Sequence, residues 1–292
     1  MRYAYYPGCS AESTARDLHQ ATLAVAGALG IELVEPKGWT CCGATAGHQT
    51  DHLLAVSLPA ANLVKVQELN LDMAVNCAAC YNRMKVANHE IATQTKTRNG
   101  VREALGRDYD GSVKVRHFVE VLLEDVGLPA IRRAVQQPLA NLKVACYYGC
   151  LLVRPAQILK FDDPENPTAL DRLVTAMGAQ SLDWPSKVEC CGGGLALSRT
   201  DVVVELTDSI LGMAKSAGAD CIAVSCPMCQ VNLDMRQQDI KTKSGKDYQL
   251  PILYITQLLG LSLGLGPDKL GFEKLMVSAS SVLDKLEVNS HA

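Results

Sequence analysis

Ten of the twelve cysteines in this 292-residue chain fall into two matched sets of five. The first set is Cys9, the pair Cys41-Cys42 followed by Gly43, and Cys77-Ala78-Ala79-Cys80. The second is Cys150, the pair Cys190-Cys191 followed by Gly192, and Cys226-Pro227-Met228-Cys229. Cys42 to Cys77 and Cys191 to Cys226 are both steps of 35 residues, while the opening steps, Cys9 to Cys41 and Cys150 to Cys190, are 32 and 40. The flanks repeat as well: Tyr5-Tyr6-Pro7-Gly8-Cys9 answers Tyr147-Tyr148-Gly149-Cys150, and Ala74-Val75-Asn76-Cys77 answers Ala223-Val224-Ser225-Cys226. One C-x-x-C arises by chance. Five cysteines with their flanks at nearly fixed spacing mark an internal duplication.

Zinc takes four ligands in a tetrahedron, usually from two C-x-x-C knuckles. Each half here has one C-x-x-C, a vicinal pair and a distant single cysteine. Adjacent cysteines diverge around one small ion but suit two metals of a cluster, or one bridging thiolate. Five thiolates per set therefore favour a polynuclear iron–sulfur centre, with zinc in one set as the alternative. The compact ferredoxin run of four cysteines is absent, so a partner is expected to deliver electrons. No nucleotide fingerprint is present, since Gly192-Gly193-Gly194 follows a cysteine pair rather than fitting G-x-G-x-x-G.

Glycines beside the cysteines, Gly8, Gly43, Gly149 and Gly192, would let main-chain N–H groups approach sulfur. Pro227 removes one such donor where Ala78 keeps it, which predicts unequal potentials for the two sites. Cys146 and Cys221 lie outside the pattern on predicted strands and read as buried apolar residues. His48 and His89 follow the first-half motifs and are candidate proton donors, though structural roles are favoured for both, as for His117.

The composition, 48% hydrophobic and 20% charged, is that of a globular protein, and the net charge of −3 argues against nucleic acid as partner. The longest apolar stretch, Ile252 to Leu265, is too short to span a bilayer. With no signal-peptide layout at Met1, a cytoplasmic location is expected, where dense cysteines point to metal or catalysis before disulfides. An amphipathic helix over Leu270–Leu286 is expected to dock on the body or a partner rather than on a membrane.

The elements that must position these sulfurs are legible at coarse resolution. Residues 2–6, 31–34 and 73–76 are β-prone, and the second half repeats them at 143–148, 181–184 and 222–225. Helical periodicity covers 13–29, 51–70, 168–177 and 200–217, with a break or kink expected at Pro59. Residues 115–126 also read as helix, and the turn formers of Phe161–Pro167 mark an insertion. Strands alternating with helices imply parallel sheets, whose strand C-terminal ends form the binding edge. Cys9, Cys77, Cys150 and Cys226 each follow such a strand, so five sulfurs per half should converge at one edge. The boundary is placed between 142 and 143, giving domains 1–142 and 143–292.

This pattern resembles the duplicated cysteine-rich CCG domain found in the B subunit of heterodisulfide reductase, over nearly the whole chain. The likeness extends to Ala87-Asn88-His89 and to Val115-Arg116-His117-Phe118-Val119-Glu120-Val121-Leu122. It implies an α/β fold of two Rossmann-like CCG domains related by pseudo-twofold symmetry. It also implies a noncubane [4Fe-4S] cluster on each set, one on Cys9, Cys41, Cys42, Cys77 and Cys80, the other on Cys150, Cys190, Cys191, Cys226 and Cys229. A small disulfide or thiol substrate would lie between them. The other two proteins of such a complex, a ferredoxin-like iron–sulfur C subunit and a flavoprotein A subunit, would be the partners. The opening Tyr-Pro-Gly-Cys9 and the Trp39–Ala44 segment look closer to bacterial than to methanogen members, which leaves the substrate open. The competing readings are an electron-transfer adaptor to another carrier such as quinone, and a zinc-stabilised assembly module.

Overall fold

A computed structural model describes residues 1–290. Eight short strands form two four-stranded sheets, β1 (Arg2–Tyr6), β2 (Glu32–Val34), β3 (Met73–Val75) and β4 (Val115–His117) in the first, β5 (Lys143–Tyr147), β6 (Gln180–Leu182), β7 (Cys221–Val224) and β8 (Ile252–Tyr254) in the second. All pairings are parallel and the orders match: β2-β1-β3-β4 and β6-β5-β7-β8. The central strands are buried almost end to end, as parallel strands covered on both faces must be. The register repeats, with Tyr6 beside Val75 and Val75 beside His117, then Tyr147 beside Val224 and Val224 beside Tyr254.

The expected helices form at Arg16–Ala28, His52–Leu69, Ala169–Ala176 and Thr200–Ser216. Three expectations are corrected. Residues 115–126 do not begin as helix: Val115–His117 is the fourth strand, followed by one helical turn and a π-helix over Val121–Gly127. The β-branched start and complete burial on the sheet edge outweigh the helical period. His52–Leu69 runs through Pro59 without a break; Pro59 is buried in a helix packed against Ala78–Thr93, and that packing offsets one lost hydrogen bond. Leu270–Leu286 is not one helix. Two 3-10 turns, Pro267–Leu270 and Phe272–Lys274, are separated by Gly271 at φ +71°, and α-helix resumes only at Ser280–Ser290. Leu270 and Val282 are fully buried, so this segment docks on the body.

The two halves interlock reciprocally. After β8, the helix Ile255–Ser262 packs on Arg16–Ala28 of the first half; after β4, Leu128–Ala134 packs on Ala169–Ala176 of the second. Polar pins reinforce the packing. Asn82 Nδ2, fully buried, donates across the seam to the carbonyls of Leu151 (3.1 Å) and Arg154 (2.7 Å), while within the second half Asp234 ties down the C-terminal segment by accepting from the amides of Met276 and Val277. The strand C-terminal edges of both sheets are thereby held towards a common seam.

Candidate metal centre

Each strand end delivers its cysteine through a turn that the local sequence dictates. Gly8 and Gly149 sit at φ +79° and +64°, and a Cβ there would lie 3.2 Å from Cys80 Sγ and 3.1 Å from Cys229 Sγ. Only glycine both takes the turn and lets the backbone pass this close to sulfur. The first C-x-x-C residues, Cys77 and Cys226, are the extended N-caps of helices Ala78–Thr93 and Pro227–Ser244, which carry Cys80 and Cys229 in their first turn. These helix starts place partial positive charge beside the thiolates.

The vicinal pairs are anchored by tyrosine. Tyr6 Oη donates to the Thr40 carbonyl at 2.7 Å and Tyr147 Oη to the Glu189 carbonyl at 2.6 Å, the residues just before Cys41 and Cys190. Gly43 N–H then reaches Cys41 Sγ and Gly192 N–H reaches Cys190 Sγ, both at 3.4 Å. Replacing Tyr6 or Tyr147 by phenylalanine should lower stability by about 1 kcal/mol each. It should also make the adjacent exposed thiol, Cys41 or Cys190, react faster with a thiol reagent; unchanged reaction rates would show that the tyrosines do not fix these loops.

The sulfurs follow one plan in both halves. Cys9 and Cys41 are 3.7 Å apart, Cys42 and Cys80 3.3 Å; Cys150 and Cys190 are 4.0 Å apart, Cys191 and Cys229 3.6 Å. The fifth member of each set, Cys77 and Cys226, is buried, and these two thiols are close enough across the seam to act on each other's protonation. Interaction with its neighbours holds Cys226 well below the usual thiol range and pushes Cys77 above it; Cys190, accepting from Cys150 and from the Gly192 amide, is drawn down to about 6. Among the described residues no three His, Cys, Asp or Glu side chains gather about one ion-sized point. The thiols lie in two close pairs per set with a fifth beside them, more donors than the single tetrahedral ion of a zinc knuckle takes. With five thiols per set, backbone brought against sulfur and N–H donors on it, the donor set fits an iron–sulfur cluster.

The other candidates separate. Cys146 and Cys221 are fully buried within β5 and β7, and burial pushes both thiols up, as inert core residues. His48 stays near the first pair, its amide bonded to the Gly43 carbonyl, while His89 is exposed about two and a half turns along its helix from Cys80. His117 is fully buried at the end of β4, and burial lowers its pKa to about 4. Sequence reasoning missed Tyr6 and Tyr147 as anchors, although their repetition before Cys9 and Cys150 was the available signal.

The profile of the cysteine-rich CCG domain matches residues 3–85 and 144–234. The chain belongs to this family and carries its domain twice. It is 31% identical to the B subunit of a ferredoxin/F420H2-dependent CoB-CoM heterodisulfide reductase from Methanosarcina acetivorans, covering 96% of this chain and 95% of that one. It is 32% identical to the corresponding B subunit of Methanosarcina mazei over 96% and 95%, and 31% identical to the 8-methylmenaquinol:fumarate reductase membrane anchor subunit of Wolinella succinogenes over 96% and 98%. A solved hypothetical protein from Helicobacter pylori has the same fold, with a TM-score of 0.77 at 10% identity, covering 95% of this chain and 52% of that one. Within the family, the chain is an iron–sulfur subunit of the heterodisulfide-reductase-like kind. No helix among the described residues is long and apolar enough to cross a membrane.

Proposed function

We propose that each set holds a noncubane [4Fe-4S] cluster and that a small disulfide is reduced, or formed from thiols, between the two. The observation that carries this reading is that Cys77 and Cys226, equivalent residues of the two sets, are buried neighbours across the seam. Two unrelated metal sites would have no reason to adjoin through the equivalent residue of each. The clusters would supply the one-electron chemistry. The chain's own residues hold and tune them: ten thiols as ligands, the Gly43 and Gly192 amides as donors to sulfur, and buried Cys77 and Cys226 away from water. On this view a small sulfur compound would approach through the cavity of about 120 Å³ lined by Ser10 and Thr14 of one half and Gly193, Met228 and Asn232 of the other. In this reading the chain works in the cytoplasm, with a ferredoxin-like iron–sulfur C subunit and a flavoprotein A subunit upstream.

Anaerobically prepared protein should contain about eight irons and eight acid-labile sulfides per chain. Zinc without sulfide would overturn the proposal and leave the assembly-module reading. Adding candidate thiols or disulfides to the oxidised protein should raise a new paramagnetic signal for the true substrate. The Wolinella relative, named as the membrane anchor of a menaquinol enzyme, supports a second reading as an adaptor between a dehydrogenase and quinone. Binding to lipid vesicles, with paramagnetic silence towards every thiol, would favour that one.

A further inference from the structure

We infer that His117 and Tyr254 form a matched pair of hydrogen-bond donors built into the seam and directed at the sulfurs of Cys226 and Cys77. This rests on the iron–sulfur reading above. The two residues hold one position in the duplication: each ends the fourth strand of its sheet, paired with the strand that leads to the C-x-x-C. Both side chains are fully buried, and His117 Nε2 and Tyr254 Oη have no hydrogen-bond partner. Asn76 Oδ1 and Ser225 Oγ, on the residues just before Cys77 and Cys226, are also buried and without a partner among the described residues. Each buried polar atom without a partner costs about 1–3 kcal/mol, so four such atoms at neighbouring strand ends point to something polar that they serve.

The direction follows from the neighbours. His117 crosses to the other half, where its ring lies by the Ser225 carbonyl and Cys226; Tyr254 has buried Asp17 as its strongest charged neighbour, then Cys226 and Cys77, with Asp234 beyond. His117 Nδ1 accepts from the Val119 amide at 3.3 Å, which leaves the ring proton on Nε2, the atom without a partner. A purely packing role accounts for the ring, which stands edge-on to Tyr81 and Phe161 at 5.6 and 5.9 Å, but not for its polar edge. Nor does packing account for the Tyr254 hydroxyl.

A donor to a ligand sulfur stabilises the electron-rich reduced cluster and raises its potential. The test loads wild type, His117→Phe, His117→Gln and Tyr254→Phe with iron and sulfide, measures cluster content, and reads potentials by titration followed with paramagnetic resonance. Phenylalanine keeps the ring packing at both sites, and the glutamine amide nitrogen reaches the place of Nε2. At unchanged cluster content, the two phenylalanine variants should show lowered potentials and His117→Gln should return towards wild type. Potentials unmoved in Tyr254→Phe and in His117→Phe at full cluster content would overturn the inference alone. Wild type that takes up no iron would overturn the iron–sulfur reading and the inference with it.

Discussion

Replacing Cys41 by serine is expected to remove about half of the bound iron and acid-labile sulfide, and replacing Cys190 to remove the other half, with little loss of fold stability. Both thiols are exposed, so a hydroxyl in their place opens no cavity. Each touches the lone cysteine of its own set, Cys9 at 3.7 Å and Cys150 at 4.0 Å. The link between the sets runs through Cys77 and Cys226, which neither change disturbs. The remaining set should therefore keep its metal, as measured by iron and sulfide analysis on each single variant and on the double. Loss of all the iron from one replacement would refute two separately held clusters. The same variants separate the functional readings. If substrate must lie between two clusters, either replacement abolishes the thiol-dependent paramagnetic signal although half the iron remains. A relay would leave the surviving cluster reducible by its donor, and no thiol signal would have been there to lose.

Most of the site was legible in the sequence because its signals are local. Cys9, Cys77, Cys150 and Cys226 follow strands of nearly continuous apolar residues, and parallel sheets expose those ends on one edge. The repeat spacing then carried the fold of one half onto the other. The parts that escaped were non-local or ambiguous in period. Val115–His117 and Ile252–Tyr254 are three-residue strands at sheet edges, each running straight into a helix, so the helical period swamps their period of two. The helices Ala78–Thr93 and Pro227–Ser244 were hidden behind the C-x-x-C motifs, because polar residues are buried along both and blur the apolar stripe. Asn82 is the clearest case: a polar residue that reads as surface, yet is fully buried because its amide closes two carbonyls across the seam. Such a contact between residues about 70 positions apart leaves no trace in local pattern.

Lys187→Met should lower stability by about 3–5 kcal/mol. Lys187 is 6% exposed, and its ammonium lies 3.1 Å from Asp171 Oδ1 and 3.4 Å from the Pro167 carbonyl. Asp171 also accepts from the Ser181 hydroxyl at 2.8 Å and from the Tyr148 hydroxyl, which in turn accepts from the Leu170 amide. The backbone is tied into the same knot, since the Lys187 carbonyl accepts from the amides of Tyr148 (2.8 Å) and Gly149 (3.2 Å). The network thus joins the segment before Cys190 to the turn before Cys150. Removing the ammonium leaves a largely buried carboxylate without its cation, and the cost of that uncompensated charge dominates the loss of a contact. The pair itself contributes far less, so Lys187→Met combined with Asp171→Leu should recover most of the stability. Denaturant unfolding of the two variants measures this difference; a single variant within about 0.5 kcal/mol of wild type would mean that Asp171 finds water or another cation. The consequence for the metal should be one-sided. Pro7 stands in the first half where Tyr148 stands in the second, so the first set has no such knot to lose. Iron lost from Lys187→Met should therefore come from the set of Cys150, Cys190, Cys191, Cys226 and Cys229 before the other.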